Sequence, residues 1–169
     1  MRRFTTRDLA VAAVTAALYA VLGYFGDLFG LTFGPIQIRF AEALTVLPFL
    51  FPAAAPGLAL GCLITNLLSP YGPIDIIFGT LATAIAAWLT MKMPKWYLAA
   101  LPPVVVNMII LPPIWAWAEV GAMGAAFWRA WAWNVFTFAV GEAIVCWVLG
   151  TVLLKGLERI PALKRTARG

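Results

Sequence analysis

The 169-residue chain has no histidine, two cysteines, and only 12 basic and 7 acidic residues, so charged residues make up 11% of its length. Without histidine there are no imidazole metal sites, no imidazole general bases and no Ser-His-Asp triad. Cys62 and Cys146 each stand alone in an apolar run, which reads as two small buried hydrophobes rather than a disulfide or a metal pair. No Gly-Lys dipeptide occurs, so the chain carries no phosphate-binding P-loop. An ATP-driven step would therefore need another subunit. The shortage of charge also excludes a soluble domain. Apolar residues reach 63%, against about 45–50% in globular proteins, and so few charges cannot cover a water-facing surface.

What is present is a nearly continuous apolar field from Leu9 to Leu154, as expected of a single integral membrane domain over residues 1–169. The length allows five or six crossings at about 20 residues each and excludes a large transporter of two repeated halves. Charges and prolines predict spans at residues 9–26, 40–52, 57–69, 76–91, 96–118 and 130–154. The charge-free block 43–74 is too long for one crossing, since a helix of that length runs to about 48 Å against a core of about 30 Å. Pro48, Pro52 and Pro56 break its middle.

Parity supports the split. Six spans put Arg2, Arg3, Arg7, Lys92, Lys95, Lys155, Arg159, Lys164, Arg165 and Arg168 on one side, with only Arg39 and Arg129 opposite. A single span over 43–74 would give eight against four. Basic residues favour the cytoplasm, so the expectation is an all-α bundle of six transmembrane helices with both termini inside. The net charge of +5 sits mostly at span ends and so argues for lipid rather than nucleic acid. The basic N-terminus lacks a small-x-small cleavage site and reads as part of the first span.

Small residues recur four apart. Gly57, Gly61 and Thr65, and Gly79, Thr83 and Ala87, read as internal helix packing. Ala12, Ala16 and Ala20, with Ala13 and Ala17 beside them, suit either the bundle or a separate membrane subunit.

Polar residues inside the field are candidates for function, because burying them in lipid is costly. Glu142 and Asn107 both fall near mid-depth and are expected to meet there, as a ligand site or as a structural tie. Asn134, Phe138 and Glu142 share one helix face. Gln37, Arg39 and Glu42 precede a short span, and Asn66 and Asp75 flank a Pro-Gly-rich loop. Arg39 and Glu42 suit an ion pair, and Asp75 a favourable acid at a helix start. Short, proline-broken spans facing polar loops are the usual pointer to a transport site. Five tryptophans (Trp115, Trp117, Trp128, Trp131, Trp133) surround the last outer loop as an interfacial belt, with Trp133 a candidate for stacking on a flat ring. A set rich in acids, amides and aromatics but poor in bases disfavours a polyanion. It suits a flat, neutral or cationic heterocycle.

Residues 34–48 (GPIQIRFAEALTVLP) resemble the signature of the queuosine-precursor transporter family, the substrate-binding S components of energy-coupling factor (ECF) transporters. The likeness continues through residues 56–62 (PGLALGC) with Asn66, 75–83 (DIIFGTLAT), 102–107 (PPVVVN) and 141–150 (GEAIVCWVLG); residues 112–129 match nothing in it. The resemblance implies an S-component-like bundle, without enzymatic activity or cofactor, that captures a 7-deazaguanine such as preQ1 or preQ0 from outside. It implies a transmembrane T component and two ATPase subunits as partners. The alanine stripe of the first helix, Ala12, Ala16 and Ala20, would dock the T component. The alternative is a stand-alone secondary carrier using Glu142 as a proton site.

Overall fold

The computed structural model describes residues 4–32 and 37–160. Gly34, Pro35 and Ile36, and the bases Arg2, Arg3, Lys164, Arg165 and Arg168, lie outside them. The described residues form helices and connecting turns, with no strand among them.

Helix α1 (Thr6–Leu28) opens on a capping box in which the Thr5 side chain accepts from the Asp8 amide at 3.2 Å and the Asp8 carboxylate accepts from the Thr5 amide at 2.9 Å. Phe40–Phe49 is a 3-10 helix. Pro48 lacks the amide that an α-helical bond to Leu44 would require, and the Thr45 hydroxyl donates to the Glu42 carbonyl at 2.6 Å. After a break at 50–53, α2 (Ala54–Asn66) follows. Helix α3 (Pro73–Thr90) starts with proline in its first turn, where no partner amide is lost. Helix α4 (Leu101–Val120) ends on Gly121, whose φ of 73° is the left-handed cap that favours glycine. Helix α5 (Ala125–Ala143) passes through a π-helical turn (Ile144–Leu149) into α6 (Gly150–Glu158).

Four stretches are long and apolar enough to cross a membrane: Thr6–Leu28, Pro73–Thr90, Trp96–Val120 and Ala125–Glu158. They match the first, fourth, fifth and sixth expected spans. The second and third are short. The 3-10 helix spans about 20 Å at about 2.0 Å per residue, and α2 about 20 Å at 1.5 Å per residue, so neither alone covers a core of about 30 Å.

The ends of the elements sort onto two sides. Phe4 and Asp8 share a cleft with Pro52, Ala53 and Met91. Arg7 lines a groove with Phe51, Leu153 and Leu157. The start of α1, the 50–53 break, the end of α3 and the end of α6 therefore lie together, and successive elements alternate in direction. Asn66, Asp75 and Glu119 gather at the opposite end.

Helices α1 and α2 pack with little between their backbones. A Cβ on Gly57 would strike the Ala12 carbonyl, and one on Gly61 would come within 2.6 Å of the Tyr19 Cβ and 2.8 Å of the Ala16 carbonyl. Small residues allow such an approach where lipid supplies no hydrophobic drive. This seam takes up the alanine stripe expected to meet a partner: Ala16 is 4% exposed, and Ala12 and Ala20 are half-buried. The alanines of α1 that face outward are Ala10, Ala13 and Ala17.

Candidate binding site

The buried polar groups begin at the mouth of the 3-10 helix. Residues three apart eclipse in that geometry, which sets Arg39 Nε 4.0 Å from Glu42 Oε1. The same carboxylate oxygen accepts from the Tyr19 hydroxyl on α1. Arg39 Nη2 donates to Asn66 Oδ1 at 3.0 Å, at the end of α2. Asn66 Nδ2 in turn donates to the Asp75 carbonyl at 2.9 Å and to Cys62 Sγ at 3.3 Å. Gly79 provides the room for that amide, because a Cβ there would sit 2.5 Å from Asn66 Nδ2. Arg39, Glu42, Asn66 and Asp75 are each at most 2% exposed.

On the far wall, Asn107 Nδ2 from α4 donates to Glu142 Oε1 from α5 at 2.8 Å, which joins the pair that helix depth predicts. The two walls meet. Gly141 abuts the Gln37 backbone carbonyl, and Cys146 Sγ donates to the Glu42 carbonyl at 3.5 Å. The π-helical turn begins directly after this point, as such turns often do at functional sites.

Asp75 belongs to a different subset. Its carboxylate accepts from Ser69 Oγ at 2.7 Å and from Trp115 Nε1 at 3.1 Å, so both oxygens are used. Trp115 stacks under Tyr71, with centroids 5.5 Å apart, and meets the edge of Phe138 at 5.3 Å. The Tyr71 hydroxyl donates to Glu119 Oε1 at 3.0 Å, and Asn134 Nδ2 donates to the same oxygen at 3.2 Å. Partial burial, and then the bond to Glu119, hold the Tyr71 hydroxyl well above the ordinary tyrosine range. It therefore stays a donor. This group forms the rim over the deeper cluster.

Among the described residues, five buried side-chain oxygens have no hydrogen-bond partner, and four of them belong to the cluster: Gln37 Oε1, Glu42 Oε2, Asn107 Oδ1 and Glu142 Oε2. The fifth is the Thr80 hydroxyl on α3. Leaving such a group unpaired costs about 1–3 kcal/mol, and more when it is charged. Arg39 and Glu42 form an ion pair within the cluster. The buried charges are one arginine and three acids, Glu42, Asp75 and Glu142. Among the described residues of the cluster, acceptors outnumber donors and acids outnumber the single base, Arg39.

Of the sequence candidates, Gln37, Arg39, Glu42, Asn66, Asp75, Asn107 and Glu142 come together in this buried region. Asn134 stands at the rim. Trp133 does not join: it is 57% exposed and lies against Phe136. Tyr19, Ser69 and Trp115 are members that sequence reasoning missed. Tyr19 had a signal, because it continues the α1 face of Ala12 and Ala16 by one turn, and a buried tyrosine hydroxyl usually has a partner.

Comparison with known proteins adds a finding independent of this geometry. The family described as QueT transporter matches residues 9–159. The "Queuosine precursor transporter QueT" of Lactococcus lactis subsp. cremoris (strain MG1363) is 34% identical over 85 residues, which cover 50% of this chain and 50% of that one. The match thus spans half the length of that relative. No solved structure matches the chain. The family match covers nearly the whole chain, including every helix that carries the buried cluster, and is to transporters rather than enzymes: this multi-pass membrane protein belongs to the QueT transporter family.

Proposed function

We propose that the chain is the substrate-binding S component of an ECF-type importer and captures a 7-deazaguanine queuosine precursor, preQ1 or preQ0, from outside the cell. The observation that carries this reading is the set of unpaired buried acceptors, Glu42 Oε2, Glu142 Oε2, Asn107 Oδ1 and Gln37 Oε1. A ligand that fits them brings several donors and no negative charge. The amidine-like edge of a deazaguanine carries adjacent N–H groups that two carboxylate oxygens can accept, and an aminomethyl group adds further donors. Asp75 is not a reader of the ligand in this account, because both its oxygens are committed to Ser69 and Trp115. It holds the rim instead.

The proposed placement has six crossings, the 3-10 helix and α2 each making one short pass. Both termini lie on the cytoplasmic side of a bacterial membrane. Arg7, Lys92, Lys95, Lys155 and Arg159 gather at the end that carries the start of α1 and the end of α6, as the preference of basic residues for the cytoplasm requires. The T component docks on the outward face of α1 around Ala13 and Ala17, beside the apolar groove lined by Val14, Leu18, Leu44 and Leu153, and two ATPase subunits supply the energy.

Isothermal calorimetry on the purified chain tests the ligand. Saturable binding of preQ1 or preQ0 without ATP is expected, and Glu142→Gln should weaken it by about tenfold or more, the loss of one charge-assisted bond. Absence of saturable binding for both bases overturns the ligand assignment. Uptake by cells lacking the ATPases would overturn the S-component reading and leave a stand-alone carrier.

A further inference from the structure

The end of the molecule opposite the buried cluster carries a second arrangement that ligand capture does not use. The turn joining α3 to α4 is tied down by two hydrogen bonds, and its two adjacent rings brace each other. The Thr90 hydroxyl donates to the Ala99 carbonyl at 3.3 Å, Trp147 Nε1 donates to the Tyr97 carbonyl at 3.2 Å, and Trp96 meets Tyr97 edge to face at 5.7 Å. These ties bring the turn against the last helix. Lys155 Nζ then lies 4.4 Å from the centre of the Trp96 ring, and Lys95 Nζ 5.6 Å from the centre of the Tyr97 ring. One turn away, Lys92 Nζ sits 3.2 Å over Trp88.

Among the described residues none of these three ammonium groups has a carboxylate within 4.0 Å. Their attraction is to ring faces, which positions a cation without neutralising it. The rings are themselves half in and half out: Trp96 is 38% exposed and Tyr97 45%. Indole and phenol rings so placed at the end of apolar helices mark the headgroup level of a bilayer, and lysine stems lie along apolar surface with the ammonium at that level.

We propose that Lys95 and Lys155, braced on the Trp96–Tyr97 pair, form a site for the phosphate of an anionic phospholipid such as phosphatidylglycerol, with Lys92 adding to the field. The occupant is a lipid rather than a soluble anion because the lysines are set on membrane-level rings and adjoin lipid-facing helices. A basic residue at an anionic surface contributes about 1 kcal/mol, so two lysines acting together give a preference of about thirtyfold over a zwitterionic lipid.

The test uses the full chain in detergent micelles doped with equal amounts of phosphatidylglycerol and phosphatidylcholine, with bound lipid counted by native mass spectrometry. The wild type should retain phosphatidylglycerol over phosphatidylcholine by about thirtyfold. The double variant K95Q/K155Q should lower that preference to about twofold, whereas K95R/K155R, which keeps the charge, should preserve it. Equal retention of the two lipids by the wild type, or an undiminished preference in K95Q/K155Q, overturns the proposal. Displacement of the lipid by millimolar inorganic phosphate or glycerol phosphate overturns the lipid assignment in favour of a soluble anion. A lost preference in K95R/K155R assigns the effect to disturbed packing and overturns it too. Binding of deazaguanine is read separately, so failure here leaves the ligand reading intact, and the reverse holds as well.

Discussion

At the residue scale, Glu42 and Glu142 are built alike. Each is buried, each has one oxygen held by a protein donor, Tyr19 or Asn107, and each leaves the other oxygen without a partner. The held oxygen orients the carboxylate and the free one remains for a ligand. Tyr19→Phe removes the orienting donor without touching the free oxygen. Its expected effect is a Kd for deazaguanine weaker by about tenfold or more with helicity retained, since a neutral-to-charged hydrogen bond contributes about 1.5–3 kcal/mol; calorimetry beside circular dichroism checks it. Unchanged affinity would remove Tyr19 from the site. The two tryptophans form a matched contrast. Trp115→Phe leaves Asp75 Oδ1 without its indole donor and should lower thermal stability by about 1–3 kcal/mol. Trp133→Phe changes an exposed ring and should leave both stability and Kd within experimental scatter. Equal effects of the two would return Trp133 to the site. The Arg39–Glu42 and Asn107–Glu142 pairs were readable because spacing along one chain segment and depth along two helices set them. For Tyr19 the helix face showed burial but not the partner, because Glu42 is 23 residues away on another element and a lone tyrosine in an apolar helix also reads as an interfacial ring.

At the element scale, the unexpected features are two departures from the α-helix. Composition and prolines located the break between the second and third expected spans within a few residues. They did not show that the first of these spans would be a ten-residue 3-10 helix, because that choice depends on what buries it from all sides. The π-helical turn after Glu142 was equally silent, since nothing about residues 144–149 differs in hydropathy from their neighbours. The alanine faces were ambiguous for a simpler reason. Ala12 and Ala16 lie beside Ala13 and Ala17 on the same helix, about 100° apart at 3.6 residues per turn, and only the position of Gly57 and Gly61 decides which stripe is inside. Two substitutions separate the roles. Gly61→Val places atoms against Tyr19 and the Ala16 carbonyl; it should cost about 1–3 kcal/mol by overpacking and weaken deazaguanine binding through Tyr19 and Glu42. Ala13→Leu enlarges the outward face, so affinity should hold while co-purification with the T component and ATPases falls. If Ala13→Leu leaves complex assembly intact, the docking face lies elsewhere.

At the scale of the whole molecule, the question is how this arrangement sits in a bilayer. Contacts at the two ends establish an alternating path for the described elements, and the basic residues of that path collect at one end. Arg7, Lys92, Lys95, Lys155 and Arg159 are found there, while Arg39 is at the other end beside Asn66. Moving this basic end across the membrane would oppose the bias that sets orientation, so the acceptor cluster should face outward. The two native cysteines make the orientation directly measurable, because both are 0% exposed and should give little background with an aqueous maleimide. Met123→Cys, on the turn between α4 and α5 and 70% exposed in the native side chain, should react with a membrane-impermeant maleimide in intact cells. Lys95→Cys, on the turn between α3 and α4, should react only after the membrane is opened. The reverse pattern would place the buried acceptors toward the cytoplasm and turn capture from outside into release from inside. Labelling of both sites in intact cells would overturn the alternating path, because α4 would then not separate the turn at Lys95 from the turn at Met123 across the membrane.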